Sequence, residues 1–181
     1  MENPSKYYFN NVEGSLHLLE AMKGAGVDYI VFSSTAAVYG EPESVPIKED
    51  SCLNPTNVYG RTKLMIEKML ADYDMAYEMR YVALRYFNAA GASPSRDIGE
   101  DHDPESHLIP LVLKTAQGVR RQVAIYGTDY ATADGTCVRD YVHVCDLATA
   151  HVLALKHLLA GGASRVYNLG SENGFSVREI I

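Results

Sequence analysis

Asp28-Tyr29-Ile30-Val31-Phe32-Ser33-Ser34-Thr35 is a short apolar run of β-branched and aromatic residues that closes on three hydroxyls. An apolar run without polar alternation is what a parallel strand covered on both faces requires. Upstream, Val12, Leu16, Leu19 and Met22 recur three or four apart, with Gly24 and Gly26 as a stop, which predicts an amphipathic helix from residue 4 to about 24. Downstream lies a polar, proline-punctuated loop. Beyond it Met65, Met69 and Tyr73 form a stripe beside Ile66 and Leu70, predicting a second helix over 57–77. Arg80-Tyr81-Val82-Ala83-Leu84-Arg85-Tyr86 reads as a second strand. Helix, strand, loop, helix, strand is the alternation of an α/β protein with a doubly wound parallel sheet, and right-handed crossovers place helices on both of its faces.

After Asn88 the chain turns to glycine, serine, proline and acidic residues, which marks a departure from the sheet. Further on, the pattern predicts a helix over 109–118, a strand over 123–126, a helix over 146–159 and a strand over 165–169. Residues 176–181 read as the first turn of another helix. No GxGxxG or GxxGxxG turn, with which a dinucleotide-binding sheet normally opens, occurs, and the first element is a helix, so the expectation is a piece of a larger protein.

Sixteen Lys+Arg against 23 Asp+Glu give a formal charge of −7, and the densest basic stretch is Arg120-Arg121, so the sequence argues against a nucleic-acid partner. Charge or glycine interrupts every apolar run well before the ~20 residues of a membrane span. Three scattered cysteines, Cys52, Cys137 and Cys145, form neither a CxxC pair nor a disulfide framework and suit a reducing, cytoplasmic setting.

Tyr59 and Lys63 lie four apart at the start of the second helix, so they share one side. A phenol beside an ammonium is an acid–base device, because the positive charge favours the phenolate and lowers the phenol's pKa. Taken alone, the spacing equally suits a surface tyrosine packed on a lysine stem. The context adds weight. Ser33, Ser34 and Thr35 leave one strand at its carboxyl end, and Phe87-Asn88 leave the next at the same edge, where open α/β sheets bind ligands.

The order Ser33-Ser34-Thr35, Tyr59-Gly60-Arg61-Thr62-Lys63, Arg85-Tyr86-Phe87-Asn88 resembles the extended short-chain dehydrogenase/reductases, and specifically their nucleotide-sugar epimerases. Asn10-Asn11-Val12-Glu13-Gly14, Asp134-Gly135-Thr136-Cys137-Val138-Arg139-Asp140-Tyr141 and Tyr167-Asn168-Leu169-Gly170 extend the likeness over nearly the whole chain. The resemblance implies a partial Rossmann-like fold plus part of a small substrate-binding domain. It divides the chain into 1–92 (cofactor domain), 93–144 (nucleotide-sugar domain) and 145–181 (return to the sheet).

The activity implied is interconversion of UDP-galactose and UDP-glucose through a 4-keto sugar, with NAD as resident cofactor. Tyr59 would remove the 4-hydroxyl proton, Lys63 would hold the nicotinamide ribose and depress the tyrosine pKa, and Thr35 would bridge Tyr59 and the sugar oxygen. Asn10, Ser33, Tyr59, Lys63 and Phe87 are the implied NAD contacts. Asn88, His107, Leu108, Ala124, Ile125, Tyr126 and Arg139, with Thr35 and Tyr59, are those for the UDP-sugar. Arg139 suits phosphate because a guanidinium forks onto its oxygens, although an ion pair with Asp140 is the other reading. Asn10 reads equally well as a solvated amide.

Related dehydratases carry an acidic pair just after the strand-end hydroxyl; here Ala36 and Ala37 stand there, so elimination lacks its catalyst. A catalytically silent truncated domain and an epimerase of UDP-N-acetylhexosamines are the alternatives. Relatives pair into homodimers through the two leading helices. The stretch from Gly99 to His107 gathers potential metal ligands, but without EF-hand or zinc-site spacing it reads as a solvated acidic loop, and no metal is implied.

Overall fold

The computed structural model describes residues 3–95 and 97–181. It separates into two compact units, one holding the chain up to Phe87 together with Ala148–Leu169, the other Asn88–Leu147 with Gly170–Ile181.

The first unit is built on a three-stranded parallel sheet of order β1-β2-β5, from β1 (Tyr29–Ser33), β2 (Arg80–Tyr86) and β5 (Arg165–Leu169). Val31 faces Val82, and Leu84 faces Tyr167. Because alternate side chains of a strand point to opposite faces, each strand feeds two cores. Ile30, Phe32 and Tyr81 pack with Leu19 of helix α2 (Gly14–Ala25) and with Ile66 and Leu70 of helix α3 (Val58–Tyr77). Val31, Val82, Leu84 and Tyr86 turn the other way, onto Ala150, Ala154 and Leu158 of helix α5 (Val144–Leu159). Leu158 and Val82 are fully buried, which is worth about 1.5–3 kcal/mol for each such side chain.

The leading helix is not uniform. A short α1 (Pro4–Tyr7) passes into a π-helical segment, Tyr8–Glu13, before regular α2 resumes. There Asn11 Nδ2 donates to Thr62 Oγ1 at 2.9 Å, and Thr62, fully buried, donates to the Tyr59 carbonyl. Helix α3 is capped by Asn57, whose Oδ1 accepts from Gly60 N at 2.8 Å. Gly60 is required by packing: a Cβ there would lie 2.5 Å from the Ala37 carbonyl oxygen and 3.0 Å from Pro55 Cβ.

A buried polar chain ties the strand ends together. Glu67 on α3 receives Arg85 of β2 through Nε at 3.0 Å and Nη2 at 2.6 Å, and also the Ser34 hydroxyl. Arg85 Nη1 donates to Tyr39 Oη, which in turn donates to Asn168 Oδ1 at 2.6 Å.

In the second unit β3 (Asn88–Ala90) pairs parallel with β4 (Val138–His143), and β6 (Gly174–Ser176) pairs antiparallel with β4. Helices α4 (Leu108–Ala116) and α6 (Val177–Ile180) complete it, the latter closed by a capping box between Ser176 and Glu179. Two expectations change. Residues 123–126 are not a strand: Ile125 and Tyr126 are exposed and no described strand pairs with them, and an apolar run without a ladder partner has nothing to satisfy its backbone in extended form. The chain also divides at Phe87/Asn88, because β3 takes its hydrogen bonds from β4, and it returns to the second unit after Leu169, because β6 does the same.

Candidate functional site

The carboxyl end of β1 and the first turn of α3 meet in the first unit. Thr35, 8% exposed, leaves the strand in extended conformation and caps a single 3-10 turn, Ala36–Val38, accepting from Ala37 N at 3.2 Å. The same side chain is close enough to the Tyr59 phenol to favour its ionised form. Lys63, one turn further along α3, donates from Nζ to the Ser33 carbonyl oxygen at 2.9 Å and stands over the rings of Phe32 and Tyr59, 4.9 and 5.6 Å from their centroids. Tyr7 meets Tyr59 edge-on at 6.5 Å. The sequence-predicted trio Thr35, Tyr59 and Lys63 is therefore one assembly.

Its electrostatics depart from expectation. Burial, then repulsion from Tyr86, pushes the Tyr59 phenol above its ordinary value, against the lowering effect of the Thr35 side chain. Burial also pulls the Lys63 ammonium below its ordinary value. Both shifts have one cause, the cost of a charge in a half-buried site.

Ser33 is occupied twice, since its hydroxyl also meets His151 Nε2 at 2.9 Å. Beside Tyr7 a cavity of about 210 Å³ is lined by Lys6, Tyr7, Asn10 and Asn11. Asn10 is exposed at this cavity rather than turned to bulk solvent alone, which gives it a concave setting that its sequence position could not. Lys6 and Asn11 were not singled out in the sequence; the signal available was their place on the same helical stretch as Asn10. A cation and two amides in a concave surface are donor chemistry for ribose hydroxyls and a diphosphate, so these residues fit a dinucleotide. Phe87, half-buried, ends the first of the two segments of this unit.

The second unit holds the remaining predicted residues. Asn88 Nδ2 donates to the Asp140 carbonyl at 2.9 Å, setting it on the β3–β4 ladder near Arg139. Arg139 is exposed; its Nη1 donates to the Val138 carbonyl, and it forms no ion pair with Asp140 among the described residues, whose carboxylate accepts from Ser171 instead. Leu108 opens α4 and His107 is its cap residue. Ala124, Ile125 and Tyr126 lie in exposed irregular chain.

The family model described as NAD dependent epimerase/dehydratase matches residues 1–170. A UDP-glucose 4-epimerase of Lacticaseibacillus casei is 57% identical over the whole chain, and one of Halalkalibacterium halodurans 58%; the chain spans 55% and 54% of their lengths. Among solved structures, the UDP-glucose 4-epimerase of Brucella ovis in complex with NAD superposes with a TM-score of 0.97 at 53% identity, covering 99% of this chain and 55% of that one. The Bifidobacterium longum enzyme in complex with NAD+ and UDP gives 0.91 at 45% identity, covering 97% and 53%. Matched along almost its entire length, and carrying the hydroxyl, phenol and amine together at one sheet edge, the chain belongs to the NAD dependent epimerase/dehydratase family.

Proposed function

We propose that the protein interconverts UDP-galactose and UDP-glucose by reversible hydride transfer at the sugar C4, with NAD as its resident cofactor. The observation that carries this reading is the Lys63 amine 5.6 Å from the Tyr59 ring centroid and bonded to the Ser33 carbonyl, at a strand end where Thr35 is followed by Ala36 and Ala37 rather than acidic residues. The names of its relatives support it. Tyr59 takes the 4-hydroxyl proton and Thr35 orients the phenol, while Lys63 presents a donor to ribose. NAD, when bound, accepts the C4 hydride and returns it. Asn10, Ser33 and Phe87 complete the proposed NAD contacts; Asn88, His107, Leu108, Ala124, Ile125, Tyr126 and Arg139 those to the UDP-sugar. With no second acid–base pair beside Thr35, the 4-keto sugar has no catalyst for loss of water, and reduction on either face is its exit.

Self-association through the helices at 4–25 and 58–77 belongs to the same proposal, as does a cytoplasmic setting, supported by three free cysteines. No helix among the described residues is long and apolar enough to cross a membrane.

The test is NAD released on denaturation, counted per chain, followed by conversion of UDP-galactose. One NAD per chain and turnover that Tyr59→Phe lowers by about 10²–10⁴-fold are expected, the usual worth of a positioned acid–base group. Unchanged turnover in that variant removes Tyr59 from its role.

A further inference from the structure

The loop entering α4 carries a side-chain cluster, three of whose four members have no part in the proposed sugar chemistry. Glu100, His102, Glu105 and His107 each bring one donor atom into a group whose members all lie within 4.8 Å of one another. His107 Nδ1 is 2.6 Å from Glu100 Oε1 and 3.1 Å from Glu105 Oε1. His102 Nδ1 is 2.9 Å from the same Glu100 oxygen and 3.3 Å from His107 Nδ1. We propose that Glu100, His102, Glu105 and His107 form a structural zinc site.

This is not an acidic surface patch, since half of its donors are imidazole nitrogens. Calcium and magnesium take oxygen donors, whereas two imidazoles with two carboxylates suit zinc, which closes a tetrahedron of four protein ligands in structural sites. With Zn–N and Zn–O bonds near 2.0–2.1 Å, neighbouring donors of such a tetrahedron lie about 3.3 Å apart. Four of the donor pairs are 2.6 to 3.3 Å apart and none of the six exceeds 4.8 Å, so the set brackets that spacing.

The two imidazoles are stacked with centroids 5.0 Å apart, and both turn Nδ1 to one carboxylate oxygen. A cation at the centre turns all four atoms into lone-pair donors at once. Glu105 is already fixed for this, its side chain 4% exposed and its Oε1 receiving the backbone N–H of Ser106 at 2.7 Å and of His107 at 2.8 Å. The His107 side chain makes no cap bond to α4, whose first turn it precedes, so it is not committed to the helix. The site would fasten the loop to the start of α4, leaving His107 Nε2 outward.

The linear spacing hid this. Ligands at 100, 102, 105 and 107 match neither zinc-finger nor EF-hand patterns, and the loop's fold, not its intervals, brings them together.

The experiment titrates the chelator-treated protein with zinc chloride alone, counts bound metal per chain by elemental mass spectrometry, and measures affinity by calorimetry. One zinc per chain is expected, bound about 100-fold more weakly by the Glu100→Gln/His102→Ala variant at unchanged far-ultraviolet circular dichroism. Both replaced residues lie outside the proposed UDP-sugar contacts, so the outcome is independent of the sugar chemistry. Cobalt in place of zinc should give visible absorption without the charge-transfer band of a thiolate ligand. Absence of stoichiometric zinc overturns the proposal, and so does zinc held equally by the double variant, or a thiolate band, either of which would move the metal to the cysteines.

Discussion

Replacement of Arg85 by methionine should be among the most damaging single changes this fold can suffer. Arg85 is 4% and Glu67 6% exposed, joined by a 2.6 Å contact and two further bonds through Nε. Without the guanidinium, the Glu67 carboxylate stays buried with the Ser34 hydroxyl as its remaining polar partner. Stranding one member of a buried pair costs about 3–5 kcal/mol. That is a large share of a domain's total of about 5–15 kcal/mol. At about 2–4 °C per kcal/mol for a chain of this size, the midpoint of thermal unfolding should fall by about 6–20 °C. Urea unfolding followed by tyrosine fluorescence measures the loss. The double variant Arg85→Met/Glu67→Leu should recover most of it, because the stranded charge and not the missing attraction carries the cost. What it should not recover are the bonds from Arg85 to Tyr39 and the Glu49 carbonyl, about 0.5–1.5 kcal/mol each. A single variant within about 1 kcal/mol of the parent, as an exposed pair would behave, or a double variant no better than the single, refutes the reasoning.

Gly60→Ala should drive α3 away from the Ala37 carbonyl, costing about 1–3 kcal/mol and moving Tyr59 away from Thr35, visible as loss of turnover larger than the loss of stability. Asn57→Ala removes the cap of α3 and should cost about 0.5–2 kcal/mol in the same urea assay. The Tyr59 phenol should titrate above the ordinary tyrosine value in ring-carbon NMR of specifically labelled protein, and Tyr86→Phe should bring it down. Because the folded value is the raised one, Tyr59 adds stability that is complete below the unfolded pKa near ~10 and is lost as pH rises through the folded pKa. A stability curve that climbs through that alkaline window, and a Tyr59→Phe variant with the same alkaline slope, would both contradict this.

How legible all this was in the sequence depended on whether the deciding contact was local. The strands at 29–33 and 80–86 were readable because packing on both faces leaves a largely apolar run, and that at 165–169 because exposed and covered residues alternate along most of it. The helices at 58–77 and 144–159 were readable because a one-sided core leaves a 3.6-residue stripe. Residues 123–126 carry the same apolar texture as a strand, yet strand formation is decided by a partner that no local pattern encodes. The short strands β3, β4 and β6 exist through pairing alone and left no run to find. Thr35 and Tyr59 could be brought together in advance, since one ends a strand and the other opens the next helix. The direction of the phenol's shift could not, because it depends on how far the fold buries the ring and sets it against Tyr86. Arg85 and Glu67 read as ordinary ends of a strand and a helical face; nothing in their spacing announces a buried pair.

The π-helical stretch Tyr8–Glu13 is geometrically what one extra residue does to a regular helix: the turn widens and everything beyond it is rotated by roughly 100° about the axis. Within that stretch Asn11 reaches Thr62 of helix α3, and Asn10 and Asn11 both line the cavity. Removing a single residue between 8 and 13 would restore an unbroken α-helix of conventional bonding and, in the same stroke, turn one of the two amides away from its duty. The most ordinary version of this helix is thus one that could no longer line the pocket and brace the tyrosine together.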